Sequence, residues 1–326
     1  GKGNPFTSLD QPTQSLLFRL SIPGQHALGG PLEDPHYGLQ FAHQSVAGIK
    51  PEGKVEVTFE EMPGQYPDGT TYSLRKPTYT FSNLNYGPMD EQVLVSPRLA
   101  PAMAGMGLLD ALADETILAK ADPDDTDKDG ISGRPNYVWD ESLQRKVLGK
   151  FGWKANEPSV EQQTAGAFSN DVGITSRIFP HENYTASQAP YLKDVPSGGE
   201  PELENDALDA VVFYIQTLAV PARRNLEEPL VKEGKKLFFQ IGCESCHTSK
   251  MTTRSDAQPA HLANQTIRPY TDLLLHDMGE GLADNRPDFD ASGREWRTAA
   301  LWGIGLQKTV SKHTYFLHDG RARNME

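Results

Sequence analysis

Cys243-Glu-Ser-Cys246-His247 is the stretch that decides the character of this sequence, because it holds the only two cysteines among 326 residues. About one turn of backbone separates the two sulfurs, so they can face the same side of the chain, with the adjacent imidazole beside them. This spacing lets two thiols form thioethers with the vinyl groups of one porphyrin while the histidine ligates its iron. The motif therefore predicts a covalently bound haem c held by Cys243, Cys246 and His247.

Three other interpretations of the two cysteines stay open. A disulfide would close so short a loop that it adds little stability. A thioredoxin-type redox pair expects a βαβ context, which the sequence does not indicate. Half a zinc site would require a second Cys/His pair at regular spacing, and none is present.

Composition limits the class of protein and its partners. The chain carries 31 Lys and Arg against 44 Asp and Glu, a net charge of −13, which argues against nucleic acid as a partner. A redox partner protein or a small-molecule substrate fits better. Mean hydropathy is −0.54 with 29 glycines and 24 prolines, so we expect long loops and a core to which haem adds apolar volume.

No apolar run is long enough to cross a bilayer, and the sequence begins without a signal peptide. Haem attachment through cysteines takes place outside the bacterial cytoplasm. We therefore expect a periplasmic protein from which a leader has been removed.

Two helical patterns flank a short charged linker at residues 222–228. Pro229 suits a first helical turn, and apolar residues at helical spacing follow it to Ile241, directly before the cysteines. Gly234 in the middle of this helix suggests the close approach of another helix. Upstream, an apolar stripe from Leu208 to Ala219 predicts a second helix, ended by Pro221. Two domains follow, 1–222 without its own C-x-x-C-H and 223–326 with it.

Residues 54–81 have a different pattern. Val55, Val57 and Phe59 alternate with polar residues, and turn-forming residues separate this run from a second, less regular one. The sequence predicts a β-hairpin or small sheet inserted in the first domain. The predicted fold is therefore mainly α with long loops, arranged as two cytochrome c-like domains.

Asp125-Thr-Asp127-Lys-Asp129-Gly-Ile131 resembles the first half of a calcium loop. Oxygen ligands stand at alternate positions, a glycine follows for the sharp turn, and Ile131 can offer its carbonyl. Asn136 occupies the twelfth position, where such loops have a bidentate Glu. The alternative is a solvated acidic turn.

Several motifs in the same order resemble the dihaem oxidoreductase family, whose members are often labelled thiol oxidoreductases and are related to dihaem cytochrome c peroxidases. The motifs are "DTDKDGISGR", "GKFGWKA", "EQQTAGAFSNDVGITS", "GCESCH", "YTDLLLHDMGEGLAD", "EWRTAALWGIG" and "YFLHDG". The resemblance implies two cytochrome c domains with one covalent haem each. It places another C-x-x-C-H just before Gly1 and a final helix after Glu326, so we expect a trimmed chain whose full-length form has a second haem.

The resemblance also assigns site residues. In the peroxidases a Gln and a catalytic Glu ten residues later flank the open haem; here Gln163 keeps the first position and Gly173 takes the second. Peroxidase chemistry is therefore doubtful, although Asp171 is a substitute carboxylate. Trp153 and Trp302 are candidates for an electron path between haems, with core packing as the alternative.

The sixth iron ligand has several candidates. Met278, with His276 beside it, lies within reach in sequence, and a methionine would favour electron transfer. The resemblance instead takes this ligand from beyond Glu326 and makes His318 a residue of the haem pocket. His26 and His36 are candidates near the lost first haem, or else solvated loop residues. The remaining histidines have no ligand spacing: His43, His181, His261 and His313.

Two functions compete at this point. The first is a periplasmic dihaem-type oxidoreductase with an unknown substrate. The second is a non-catalytic haem electron carrier or binding module, which six-coordinate iron without peroxide reactivity would favour. A haem-free protein with free or disulfide-bonded cysteines is a third state of the same chain.

Overall fold

The computed structural model describes residues 15–192 and 195–326. It is only 22% helical, with 23% strand in several small sheets, so the prediction of a mainly α, cytochrome c-like fold is wrong. Strands of two to four residues are too short for their alternation of apolar and polar residues to be recognised in the sequence. Loops, rather than the expected helices, connect most of the elements. Gly1–Asn4, which resembles the segment after a haem motif, lies outside the described residues.

Among the described residues the helices are short, and only three of them exceed one and a half turns. They are α1 (Met106–Asp110), α2 (Asp114–Leu118), α3 (Val160–Val172), α4 (Ala189–Leu192), α5 (Asn205–Gln216), α6 (Pro229–Gln240) and α7 (Gln307–Ser311). The two helices predicted on either side of the linker are α5 and α6. α5 ends three residues before Ala219, the last residue of its predicted stripe, and α6 ends one residue before Ile241.

The strands of the described part of the chain form one four-stranded sheet and four two-stranded ones. They are β1 (Leu16–Gln25), β2 (Pro31–Leu32), β3 (Gln40–Phe41), β4 (Lys54–Gln65), β5 (Thr71–Ser82), β6 (Leu94–Leu99), β7 (Tyr137–Asp140), β8 (Arg145–Leu148), β9 (Met251–Thr252), β10 (Thr266–Ile267), β11 (Leu275–Asp277) and β12 (Glu295–Arg297). In the largest sheet β1 pairs antiparallel with β2, β3 and β6. The hairpin predicted from residues 54–81 is present as β4 paired with β5.

The sheet around β1 has its own apolar core. Leu16, Phe18 and Leu20 alternate inward and are at most 1% exposed. Phe18 meets the rings of Tyr79 and Phe81 edge-on, at 5.5 and 5.7 Å between centroids, and so joins the hairpin to the sheet. This alternation at residues 16, 18 and 20 is the signal that the sequence analysis missed.

A second core lies between the helices and the haem-motif region. It contains residues from both sides of the predicted boundary at 222/223, among them Leu112 and Val160 on one side and Leu273 and Leu274 on the other, none more than 1% exposed. The division into domains 1–222 and 223–326 stays a prediction. The packing joins the segment that follows the motif, from Met251 onward, to the first part of the chain.

Buried ions join the same two parts of the chain. Asp288 accepts hydrogen bonds from Arg98 and Arg286, both at 2.9 Å, and all three side chains are at most 7% exposed. Nearby, Lys154 pairs with Asp284 at 3.1 Å, with both side chains almost completely buried. Burial opposes ionisation of Asp288, but Arg286 and Arg98 outweigh it and lower the pKa of this carboxyl to about 2.

Candidate functional site

The cysteines follow the end of α6. Gly242 takes a left-handed conformation (φ 83°) that stops the helix, and Cys243–Ser245 form one 3₁₀ turn. The backbone N–H of His247 donates to the Cys243 carbonyl at 3.0 Å, so the motif is a compact turn. Both thiols are free and half-buried. They are accessible for covalent chemistry.

The imidazole of His247 has one nitrogen engaged. Nδ1 lies 2.7 Å from the carbonyl oxygen of Tyr270, which makes it the protonated donor and leaves Nε2 with the lone pair that a metal requires. The Phe238 ring on α6 packs edge-on against Tyr270 at 5.3 Å between centroids and flanks His247 at 6.4 Å. The ring of His247 is therefore oriented as a metal-ligating histidine would be.

A second histidine contacts the motif from β11. His276 Nδ1 is 3.6 Å from Cys246 Sγ, and its Nε2 is 2.7 Å from the Asp272 carboxylate. His276 is 7% exposed and Asp272 only 1%. Burial lowers the pKa of His276, but the hydrogen bonds to Asp272 and Cys246 raise it to about 10 overall. One ring nitrogen of His276 therefore bonds to Asp272 and the other to Cys246.

A cleft of about 600 Å³ adjoins the haem motif. Its walls include Phe238 and Tyr270, which also flank His247, together with Trp302. Four cations line it: Arg223, Arg224, Lys235 and Arg268. An apolar cleft lined with positive charge suits a flat apolar ligand that carries acidic groups.

α6 leaves most of its apolar side chains uncovered by the described residues. Leu230 is 83% exposed and Leu237 45%, and Ile241, directly after the helix, is 72% exposed. No atom of the described chain lies within 4 Å of a Cβ built on Gly234, so the helix crossing expected there is not among the described contacts. Gly234 instead lines the cleft, where it leaves room.

Met278 and His318, the two other residues predicted to contact haem, form no hydrogen bond to either cysteine among the described contacts. Met278 follows β11, is half-exposed and donates its backbone N–H to Arg294 at 3.0 Å. His318 is 3% exposed and stacks on Trp296, with ring centroids 3.9 Å apart. Burial, reinforced by nearby cations, lowers the pKa of His318 far below its usual value, so its imidazole is neutral.

The positions taken from the peroxidases lie on one helix. Gln163 is half-buried near the start of α3, which Ser159 caps by accepting from the Gln162 backbone N–H at 3.1 Å. Gly173 is the C-cap of the same helix, in a left-handed conformation (φ 67°). That conformation favours glycine, which explains why a carboxylate side chain is absent at this position. Asp171 is exposed and accepts from Gln40 Nε2 at 2.9 Å.

The acidic loop brings three carboxylates together. Ligand oxygens of Asp125, Asp127 and Asp129 all lie within 4.8 Å of one another, as cation binding requires. The Ile131 backbone N–H donates to Asp129 at 2.8 Å and closes the turn. Asn136 points into the core instead, where it donates to the Lys154 and Asp288 carbonyls and is 1% exposed.

The histidines assigned to a first haem lie on the β1 side of the molecule. His26 is exposed in the turn between β1 and β2, where its Nδ1 accepts from the Leu28 backbone N–H at 3.3 Å. His36 is half-buried, with its Nδ1 3.0 Å from the Tyr86 carbonyl oxygen. The two tryptophans also differ: Trp153 donates to the Leu99 carbonyl at 2.6 Å, whereas Trp302 lines the cleft.

Sequence reasoning missed two parts of the site. It treated His276 only as a possible iron ligand and gave no role to Asp272, although an i, i+4 Asp/His pair before "DMG" was visible. It also described 222–228 as a linker, whereas Arg223 and Arg224 line the cleft. Paired arginines between two helices are a signal for an anionic ligand.

Free vicinal thiols, an imidazole with one nitrogen available and a basic apolar cleft together fit a haem-binding protein. The chain belongs to the family described as "Di-haem oxidoreductase, putative peroxidase", which matches residues 25–326. Haem binding and an oxidoreductase class follow from that membership. No curated protein and no solved structure matches the chain. Among the described helices, none has the length and apolar character needed to cross a membrane.

Proposed function

We propose that this chain is a periplasmic c-type haem oxidoreductase that transfers electrons through a haem joined to Cys243 and Cys246, with His247 as its proximal ligand. The observation that carries the proposal is the bond from His247 Nδ1 to the Tyr270 carbonyl at 2.7 Å, because it orients the ring and reserves Nε2 for iron. The bound haem supplies the redox step, and the chain supplies ligation, burial and orientation.

The cleft is suited to bind acidic groups of a ligand. Arg223 lies over the Tyr270 ring at 5.9 Å, so this guanidinium is held beside the residue that orients His247. We propose that the cations of the cleft bind the haem carboxylates or an anionic substrate. Within this chain Met278 remains the candidate sixth ligand and His318 a neutral residue of the haem pocket.

The site also supports a second function, a non-catalytic electron carrier. The specific observation is that Gly173, which the resemblance aligns with the catalytic Glu of the peroxidases, is the left-handed C-cap of α3. Without a carboxylate at that position, proton transfer to peroxide would fall to Asp171, which is exposed and engaged by Gln40, and this favours the carrier. The partner of a carrier would be a redox protein, and the partner of an enzyme a small-molecule substrate.

We further propose that Asp125, Asp127 and Asp129, with the Ile131 carbonyl, bind calcium. The clustering of their oxygens supports this role. The loop ends at Gly133 and Arg134. Arg134 pairs with β11 through the Leu275 backbone, so a cation here would brace the strand that carries His276.

The test is the intact mass and visible spectrum of the chain produced together with haem-attachment machinery. We expect the mass of one covalent haem and a c-type spectrum, since the chain has cysteines for one such group. Replacement of both Cys243 and Cys246 by Ala should abolish covalent haem, and His247→Ala should change the iron coordination. The exposed His261→Ala is the matched control and should leave mass and spectrum unchanged. A colourless, haem-free product from the unaltered chain would refute the proposal.

The same preparation separates enzyme from carrier. Reaction of the reduced haem with peroxide through an open axial position supports the enzyme. A six-coordinate spectrum that peroxide leaves unchanged supports the carrier.

A further inference from the structure

His276 contacts Cys246 of the haem motif, but the proposed function assigns the iron to His247 and gives His276 no role. Both of its ring nitrogens are occupied, one by Cys246 Sγ at 3.6 Å and one by Asp272 at 2.7 Å. Only Cys246 has such a partner, since Cys243 has no equivalent side chain bonded to it in the described structure. The two cysteines are therefore held differently.

The position of His276 is fixed from several sides. β11 pairs with β12, with His276 directly opposite Trp296, and the Arg134 backbone bonds to Leu275 on the other edge. Gly133 lies over the ring: a Cβ there would be 3.1 Å from His276 Cε1. Asp272 is 1% exposed and also accepts from the Leu274 backbone N–H at 2.9 Å. A ring held this firmly can in turn hold the sulfur that it contacts.

We propose that His276, anchored by Asp272, is a positioning residue that aims the Sγ atom of Cys246 at a vinyl group during thioether formation. The inference rests on the proposed haem attachment at Cys243 and Cys246. In this step the Sγ–H bond of Cys246 and one C–C π bond of the vinyl group break. A C–S bond forms at the vinyl carbon next to the ring, and the thiol hydrogen ends on the terminal carbon. No electrons are gained or lost overall, so the addition requires no oxidant or reductant.

The two ring nitrogens of His276 explain why histidine suits this position. The contact of Nδ1 with Sγ at 3.6 Å fixes the rotamer of the Cys246 side chain, and the carboxylate of Asp272 fixes the ring from behind. A misplacement of about 1 Å between reacting atoms can slow a reaction by roughly a hundredfold. Loss of His276 should therefore affect the Cys246 thioether and leave the Cys243 thioether.

The experiment uses the haem-free full chain, incubated with haem under dithionite, which keeps the iron and both thiols reduced. Peptide mapping measures the ratio of haem joined to both cysteines to haem joined to Cys243 alone. Alkylation with iodoacetamide identifies the remaining thiol, and the pyridine haemochrome spectrum identifies a vinyl group that has not reacted. Cys246→Ala gives the reference for the singly attached species.

We expect His276→Ala to lower this ratio about tenfold or more. His276→Gln, whose amide can still donate to sulfur, should recover part of it, and Gly133→Ala, which displaces the ring by tenths of an ångström, should lower it less than His276→Ala does. Trp296→Phe is the matched control: it alters the residue opposite His276 in the strand pair and removes the indole bond to the Leu282 carbonyl, but leaves both hydrogen bonds of His276 in place, and should leave the ratio unchanged.

Three results would overturn the proposal. The first is an unchanged ratio in His276→Ala. The second is equal loss of both thioethers in His276→Ala and His276→Gln, which would indicate a general structural role. The third is an unaltered chain that does not attach haem at Cys246 under these conditions. Failure of the proposed function itself would be recognised separately, by a haem-free product from cells that contain the haem-attachment machinery.

Discussion

Asp288→Asn should strongly destabilise this protein, because Asp288 is the carboxylate that Arg98 and Arg286 share inside the core. Both pairs are 2.9 Å long, and the three side chains are between 0% and 7% exposed. Burial lowers the pKa of Arg286, but only to about 10, so its guanidinium stays charged at neutral pH. With Asn at position 288 these cations would lose their shared anion without access to water.

The magnitude follows from two arguments. Lowering the pKa of Asp288 from 3.8 to about 2 corresponds to about 2–3 kcal/mol of stability in favour of the ionised form. Removing one partner of a buried ion pair costs about 3–5 kcal/mol, because the remaining charge stays buried. We expect Asp288→Asn to lower the free energy of unfolding by about 3–5 kcal/mol at pH 7.

The pH dependence has a definite sign. A carboxyl whose pKa is lower in the folded than in the unfolded state stabilises the fold above its unfolded value, here 3.8, and this contribution is lost as the pH falls toward 2. Urea unfolding at pH 7 and at a series of acidic pH values would measure both effects. Asp288→Asn should lack this component of the acid dependence.

Asp277→Asn is the matched control for this prediction. Asp277 pairs with Arg294 at 3.2 Å, but both side chains are close to half-exposed, so we expect a loss of about 0–1 kcal/mol. If Asp288→Asn cost no more than Asp277→Asn, the buried cluster would not stabilise the fold as argued.

Two further predictions follow from other buried or clustered carboxylates. Burial raises the pKa of Glu52 to about 7 despite hydrogen bonds from Ala42 and Gln188, so its contribution to stability is complete below pH 4.5 and falls as the pH rises through 7. Glu52→Gln should therefore stabilise the protein by about 1–3 kcal/mol at pH 8 and have little effect at pH 4. Urea unfolding at the two pH values measures the difference. Equal effects at both pH values would contradict the argument. Calcium at about a hundred times its dissociation constant should raise the free energy of unfolding by about 2.7 kcal/mol, and the rise should disappear in Asp127→Asn. The same rise in that variant would refute the calcium loop.

The sequence indicated the elements that have a long regular period. Pro229 and the apolar spacing after it predicted α6, the stripe from Leu208 predicted α5, and alternation from Val55 predicted the β4–β5 hairpin. These signals are local, since each repeats over two or more turns or several strand pairs. The mainly α prediction was wrong because it assumed that the rest of the chain is helical like α5 and α6. Most of the other elements are shorter than six residues.

The candidate site also has one part that the sequence predicted and another that only the tertiary structure decided. C-x-x-C-H was readable because covalent spacing alone brings Cys243, Cys246 and His247 together, and the family motifs were readable in their order along the chain. The tertiary structure decided which carbonyl orients His247, that His276 contacts Cys246, and that Arg223 lines the cleft. These relations join residues 20 to 80 positions apart, and nothing in the local sequence states the distance between them. The packing of β11 and of the linker around the end of α6 sets these distances, because contacts between residues far apart in sequence depend on how the helices and strands pack against one another.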